Sequence, residues 1–343
     1  MPRNIVPADF VAAPGLRNRH VQTLLPRCRP LMRLERDTEI VNLPDGDFVE
    51  LAWVQPAPAR PDAPIFLLFH GLEGSFDSPY ARDLLATASR LGHRAVMMHF
   101  RGCGQAPNRL ARAYHSGDTA DAYWVIGQLA KRYPQAVKIA AGVSLGGNML
   151  VKLVAEQGGD GLDLAGAIAI SAPLDLAASA DALNRGFSRI YQRHLLDALK
   201  RKVTLKMATG LLPSMTAAQL RQLDTFWAYD NEVTAPLHGF SSASDYYRRA
   251  SAGRLLGDVE LPLLVLHAAD DPFMPPDLFE RLPSPSDAVR VEIARHGGHV
   301  GFLEARQRRL TSWLPRRVAH QLAVWTGMPQ PIGQLTPVPL RPQ

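Results

Sequence analysis

Ser144 is the residue most clearly placed for chemistry. It sits in Gly142-Val143-Ser144-Leu145-Gly146-Gly147, after the apolar run Val137-Lys138-Ile139-Ala140-Ala141 and before the helix-like run Asn148–Leu153. Gly-x-Ser-x-Gly between a strand and a helix is a nucleophile elbow: the tight turn pushes the hydroxyl out to where a base can reach it. Small neighbours let other backbone approach without a Cβ clash. The Leu145 N–H would point at a developing oxyanion.

A serine hydroxyl is a poor nucleophile until a base takes its proton, and histidine suits neutral pH. The candidate base lies in His296-Gly297-Gly298-His299-Val300-Gly301-Phe302, a glycine-rich loop read as following a strand and preceding a helix. His299, at the distal end, is favoured over His296. The His-x-x-His spacing invites a metal reading, but no third ligand of suitable type accompanies it. The base needs a carboxylate to fix its tautomer. Asp270 and Asp271 both follow the apolar run Leu263–Leu266. Asp271 is favoured, and the other would hydrogen-bond within the turn. A second oxyanion donor is expected from His70-Gly71-Leu72-Glu73-Gly74, directly after the apolar run Ile65–Phe69. There the Leu72 N–H is the candidate, with His70 supporting the loop. The order Ser144, Asp271, His299 is the order of an α/β hydrolase.

These residues must be carried by strands that end on one edge of a sheet. Runs at 65–69, 94–100, 137–141, 164–170, 261–267 and 289–293 read as strands. Helical patterns at 78–91, 118–133 and 145–157 alternate with them, Ser78 as N-cap and Pro79 at the first turn. The expected fold class is therefore α/β, with a mostly parallel central sheet flanked by helices. Two β-rich runs around Pro44-Asp45-Gly46 predict a hairpin. Residues 175–255 break the rhythm and read as a helical insertion. Its aromatics Phe226, Trp227, Tyr229, Tyr246 and Tyr247 are candidates for lining an apolar acyl pocket. The division expected is an N-terminal arm (1–36), a core in two parts (37–174 and 256–327), a cap (175–255) and a proline-rich tail (328–343).

The chain has 343 residues, 46% apolar and 20% charged, ordinary for a globular protein. Its net charge is +6, carried by arginine, with only six lysines. The arginines are scattered along the sequence, which argues against a nucleic-acid partner or a membrane-surface role. Two cysteines, Cys28 and Cys103, cannot build a disulfide framework. No run is long and apolar enough for a spanning helix, and no signal-peptide core is present. A cytoplasmic protein with no integral membrane association is the expectation, and oligomeric state is not indicated.

Further stretches carry a resemblance to a known family. With those above, Asn18-Arg19-His20-Val21-Gln22-Thr23, His99-Phe100-Arg101-Gly102-Cys103-Gly104, Tyr114-His115-Ser116-Gly117 and Asp270-Asp271-Pro272-Phe273-Met274 resemble the YheT-like (Emb8-like) branch of the α/β-hydrolase superfamily. The likeness spans roughly residues 15–320. It implies a nucleophile at Ser144, an acid at Asp271, a base at His299, and esterase-type activity without a cofactor. The expected reaction is hydrolysis of carboxylic esters of short to medium acyl chains. Acyl transfer to an alcohol would use the same triad. A non-catalytic binding module is disfavoured because serine and histidine are both kept. Cys103 is discounted as a rival nucleophile, having no base and acid placed for it, and His115 is read as a loop hydrogen-bonder.

Overall fold

The computed structural model describes residues 3–29, 32–212, 215–307 and 309–328. Beyond Met328, the expected proline-rich tail lies outside the described residues. In chain order the strands are β1 (Ile5–Pro7), β2 (Glu35–Asn42), β3 (Phe48–Gln55), β4 (Ile65–Phe69), β5 (Arg94–His99), β6 (Lys138–Val143), β7 (Gly166–Ile170), β8 (Leu263–Ala268), β9 (Val289–Ala294), β10 (Leu303–Arg306) and β11 (Arg309–Ser312). The helices are α1 (Arg19–Leu24), α2 (Pro79–Arg90), α3 (Ala120–Arg132), α4 (Leu145–Gln157), α5 (Leu176–Leu183), α6 (Ser188–Ala208), α7 (Ala217–Gln222), α8 (Phe226–Tyr229), α9 (Ala235–Leu237), α10 (Ala243–Ala250), α11 (Leu278–Arg281) and α12 (Leu314–Thr326).

Nine strands form one sheet in the order β1-β9-β8-β7-β6-β4-β5-β3-β2. All neighbours from β1 to β5 pair in parallel, and β3 and β2 close that edge antiparallel. Side chains alternate across a strand, so one apolar run feeds two cores. In β4, Ile65, Leu67 and Phe69 pack with Val125, Leu129, Met149 and Leu153 of α3 and α4. Phe66 and Leu68 point the other way, to Leu84 and Leu85 of α2 and Val318 and Leu322 of α12. Helices therefore cover both faces, and the parallel strands deliver their C-terminal ends to one edge.

Three local readings need correction. The segment before residue 37 is not only an arm: Ile5–Pro7 adds a strand beside β9, bracketed by Val291 N–H to Asn4 O and Ala8 N–H to Ile293 O. Three residues ending in proline leave too little period to read from sequence. The histidine loop does not lead straight into a helix, because the β10–β11 hairpin intervenes. Ser78 precedes α2 as expected, but its hydroxyl makes no cap bond and accepts from Ser75 N–H instead.

Between β7 and β8 the chain is helical, α5 to α10, with its own core around Leu196, Val203, Phe226, Tyr229 and Tyr246. Asn148 on α4 ties this segment down. Its amide donates to Ser116 O (2.9 Å) and Ala250 O (2.8 Å), and its carbonyl accepts from Ala252 N–H (2.9 Å). Among the described residues, no helix is long and apolar enough to cross a membrane.

Candidate active site

Ser144 follows the last residue of β6 with φ 53° and ψ −120°. That is a costly conformation for a residue with a Cβ, held only where the surroundings over-determine it. Here they do: Ser144 N–H donates to Ile170 O, and Ser144 O accepts from Gly147 and Asn148 N–H. The flanking glycines are obligatory. A Cβ on Gly142 would collide with the Gly146 carbonyl, and one on Gly146 would lie 2.5 Å from His70 O.

His299 Nε2 lies 3.1 Å from Ser144 Oγ, and His299 Nδ1 lies 2.9 Å from Asp271 Oδ2. Asp271 is buried at the end of β8, and its other oxygen accepts from Phe273 N–H. The Phe273 ring stacks on the imidazole at 3.9 Å between centroids. Asp270 points elsewhere: it accepts from Gly298 N–H at 3.0 Å and faces His296 at 3.5 Å. The sequence favoured Asp271 over Asp270 and His299 over His296, and in the fold the favoured pair lies at the serine while the other pair braces the loop. The base loop is also fastened to the N-terminal segment. His299 N–H donates to Thr23 Oγ1, while Gln22 Oε1 accepts from Leu303 N–H and Gln22 Nε2 donates to Leu303 O.

The loop after β4 packs directly on the serine, since a Cβ on Gly71 would lie 3.2 Å from Ser144 Cβ. Its backbone donors are nearly all consumed. Gly71 N–H donates to Tyr80 OH, Glu73 N–H to Tyr114 OH, and Gly74 N–H to Gly71 O. Leu72 N–H is left with no partner among the described residues, and so is Leu145 N–H. His70 fixes the direction of the first. Its Nε2 accepts from Phe100 N–H (3.1 Å), so Nδ1 carries the proton and donates to Gly71 O (2.6 Å). Burial lowers the His70 pKa to about 3, which keeps this neutral tautomer in place. In a trans peptide C=O and N–H point opposite ways. With Gly71 O drawn to His70, Leu72 N–H points away from that ring.

The sequence missed the tyrosines and the Glu73 cluster, because their roles exist only after folding. Tyr80 reads as a helix residue, and only the Tyr114-His115-Ser116-Gly117 motif hinted at the second brace. Glu73 accepts from Tyr114 OH (2.7 Å) and from Lys202 Nζ (2.9 Å), and Lys202 Nζ also lies 2.9 Å from Cys103 Sγ. Burial pushes the Cys103 thiol up to about 11, the opposite of an activated nucleophile. His115, Asp118 and His238 bring donor atoms within 4.8 Å of one another, as a metal site would. Arg112 already occupies both Asp118 oxygens (3.0 and 2.8 Å), and Gly117 N–H donates to His115 Nδ1.

Ser144 and His299 open into a cavity of about 1490 Å³, lined by α6 and the helices after it, by the loops after β4 and β5 and by the N-terminal segment. Of the five aromatics singled out in the sequence, Phe226, Tyr229, Tyr246 and Tyr247 line it. Trp227 does not: its indole N–H donates to Asp181 on α5, and its ring packs edge-on against Tyr247. Asp230, on a π-helical turn (Asp230–Thr234), is buried in the same wall and accepts from Thr234 OH and Tyr247 OH. Burial raises its pKa to about 6. An acid raised this way lends stability below its unfolded pKa near 4 and loses it as pH climbs through 6. Asp230→Asn should therefore be more stable than the parent at pH 8, by at most about 3 kcal/mol, and by no more than about 0.5 kcal/mol at pH 4. Urea unfolding at the two pH values checks this, and an equal difference at both would contradict it.

Comparison with known proteins bears on the family and the fold. Residues 64–306 match the family described as alpha/beta hydrolase fold. The proposed esterase YheT of Escherichia coli (strain K12) is 41% identical over 321 residues, 93% of this chain and 94% of that one. A monoacylglycerol lipase of Saccharomyces cerevisiae is 27% identical over 72% of this chain and 56% of its own length. Among solved structures, the Pyrococcus furiosus esterase Pf2001 superimposes with a TM-score of 0.50 at 12% identity, over 87% of this chain and 90% of that one.

Proposed function

This chain belongs to the alpha/beta hydrolase fold family, and on that premise we propose that it is a carboxylic-ester hydrolase working through an acyl-enzyme on Ser144. The observation that carries the reading is the continuous line Ser144 Oγ, His299 Nε2, His299 Nδ1, Asp271 Oδ2, with links of 3.1 and 2.9 Å. Ser144 Oγ attacks the acyl carbonyl while its proton passes to His299 Nε2. The carbonyl oxygen gains charge and is met by the N–H groups of Leu72 and Leu145. The tetrahedral intermediate collapses, the ester C–O bond breaks, and His299 returns its proton to the departing alcohol. A water then loses a proton to His299 and attacks the acyl carbon; the bond from Ser144 Oγ to that carbon breaks, the acid leaves and His299 returns its proton to Ser144 Oγ. Asp271 holds Nδ1–H and stabilises the imidazolium that forms twice in the cycle.

The cavity exceeds the roughly 300–1,000 Å³ of ordinary small-molecule sites. A short to medium acyl chain on the serine leaves room beside it for a large alcohol portion. The test is turnover of p-nitrophenyl esters from acetate to palmitate, with excess simple alcohol in parallel. Free acid should dominate, with the fastest turnover at short to medium chains. Mainly transferred ester would make the protein an acyltransferase with the same triad, and no turnover at any length would remove the proposal.

A further inference from the structure

We infer that the mouth of the Ser144 cavity docks on an anionic phospholipid surface. The idea that lipid supplies the substrate rests on the ester-hydrolase reading, but the docking is read from charge and exposure alone. Arginines that look dispersed in sequence converge in the fold. Residues 17–29 hold four arginines and no acid, and residues 185–206 hold seven lysines or arginines against Asp197 alone. These two stretches carry +10 in a chain whose net charge is +6, so the remainder is net −4.

The two stretches touch. The His20 ring lies 4.4 Å from that of Phe187, His20 Nδ1 is 3.1 Å from Tyr191 OH, and Arg27 donates to His194 Nε2 at 3.3 Å. Their meeting place is the cavity rim. On α6, Ile190, His194, Ala198, Arg201 and Leu205 recur at helical spacing, and all five line the cavity. Ile190 is nevertheless 58% exposed and Leu205 62%, with Phe187 at 47% and Leu24 on α1 at 39%. Among the described residues, Arg19, Arg27, Arg193 and Arg201 are exposed and make no ion pair.

Bulky apolar side chains set among uncompensated arginines suit one kind of partner well. The aliphatic groups enter the headgroup boundary while the guanidinium groups meet lipid phosphates. A polyanion such as RNA would use the charge but give Leu24, Ile190 and Leu205 nothing to pack against. Docked this way, the rim opens the cavity onto the lipid surface, and an ester can reach Ser144 without first crossing water.

The test is vesicle co-sedimentation with the Ser144→Ala protein, so that binding is measured without turnover. It should bind equimolar phosphatidylglycerol–phosphatidylcholine vesicles at about 0.1 M salt, bind pure phosphatidylcholine at least tenfold more weakly, and be released at about 1 M salt. Arg19→Glu with Arg193→Glu, and separately Phe187→Ser, should each lower binding about tenfold or more. None of these three residues lines the cavity, so with Ser144 restored the same variants should hydrolyse soluble p-nitrophenyl butyrate at the parent rate. Equal binding to both vesicle types, or binding to neither, overturns the proposal. So does tighter binding to a single-stranded oligonucleotide that Phe187→Ser leaves unchanged. Vesicle binding without any esterase activity would instead count against the triad and leave the docking surface standing.

Discussion

Ser144→Ala should lower kcat for any ester substrate by about 10⁵–10⁶-fold while the protein stays folded. Alanine adopts the same φ of 53° no more easily than serine, and among the described residues the removed hydroxyl bonds only to His299. The thermal midpoint should therefore hardly move. The Leu72 and Leu145 N–H groups remain, so a small residual rate above that in water is expected. Steady-state kinetics with thermal unfolding checks both parts. An activity loss below about tenfold would remove Ser144 as nucleophile.

The second large effect separates two neighbouring acids. Asp271→Asn should cost about 10⁴-fold in kcat, because an amide can present its NH₂ to His299 Nδ1 and force the wrong tautomer. Asp270→Asn should cost far less, since Asp270 reaches Gly298 N–H and His296 rather than the base. Its oxygen can still accept from Gly298 N–H after the change. Measuring kcat for the pair tests the assignment directly, and equal losses at both positions would refute it.

Legibility in the sequence follows from how local each constraint is. The elbow is legible because a positive φ at Ser144 demands small residues two positions either side. The parallel strands are legible because burial on both faces writes unbroken apolar runs such as Ile65–Phe69. Asp271 could be favoured over Asp270 but not fixed, because both follow the same strand and only the turn decides which one faces inward. Tyr80 and Tyr114 brace the loop after β4 from 9 and 41 residues away, through backbone bonds that leave no periodic signal in the sequence. Charge shows the same limit. The segments that carry the arginines at 19, 27, 193 and 201 meet only once α1 lies on α6.

Thr23 holds the loop of His299 across 276 residues, and Gln22 reaches Leu303 across 281. Contacts between such distant segments carry a large loop-closure cost and form late. During synthesis, residues 4–23 must wait for residues 289–303 before either can be fixed. The serine elbow can take shape well before its base is locked in place. A partly folded chain would therefore display the nucleophile without the means to use it, and hydrolysis would begin only at the last docking step.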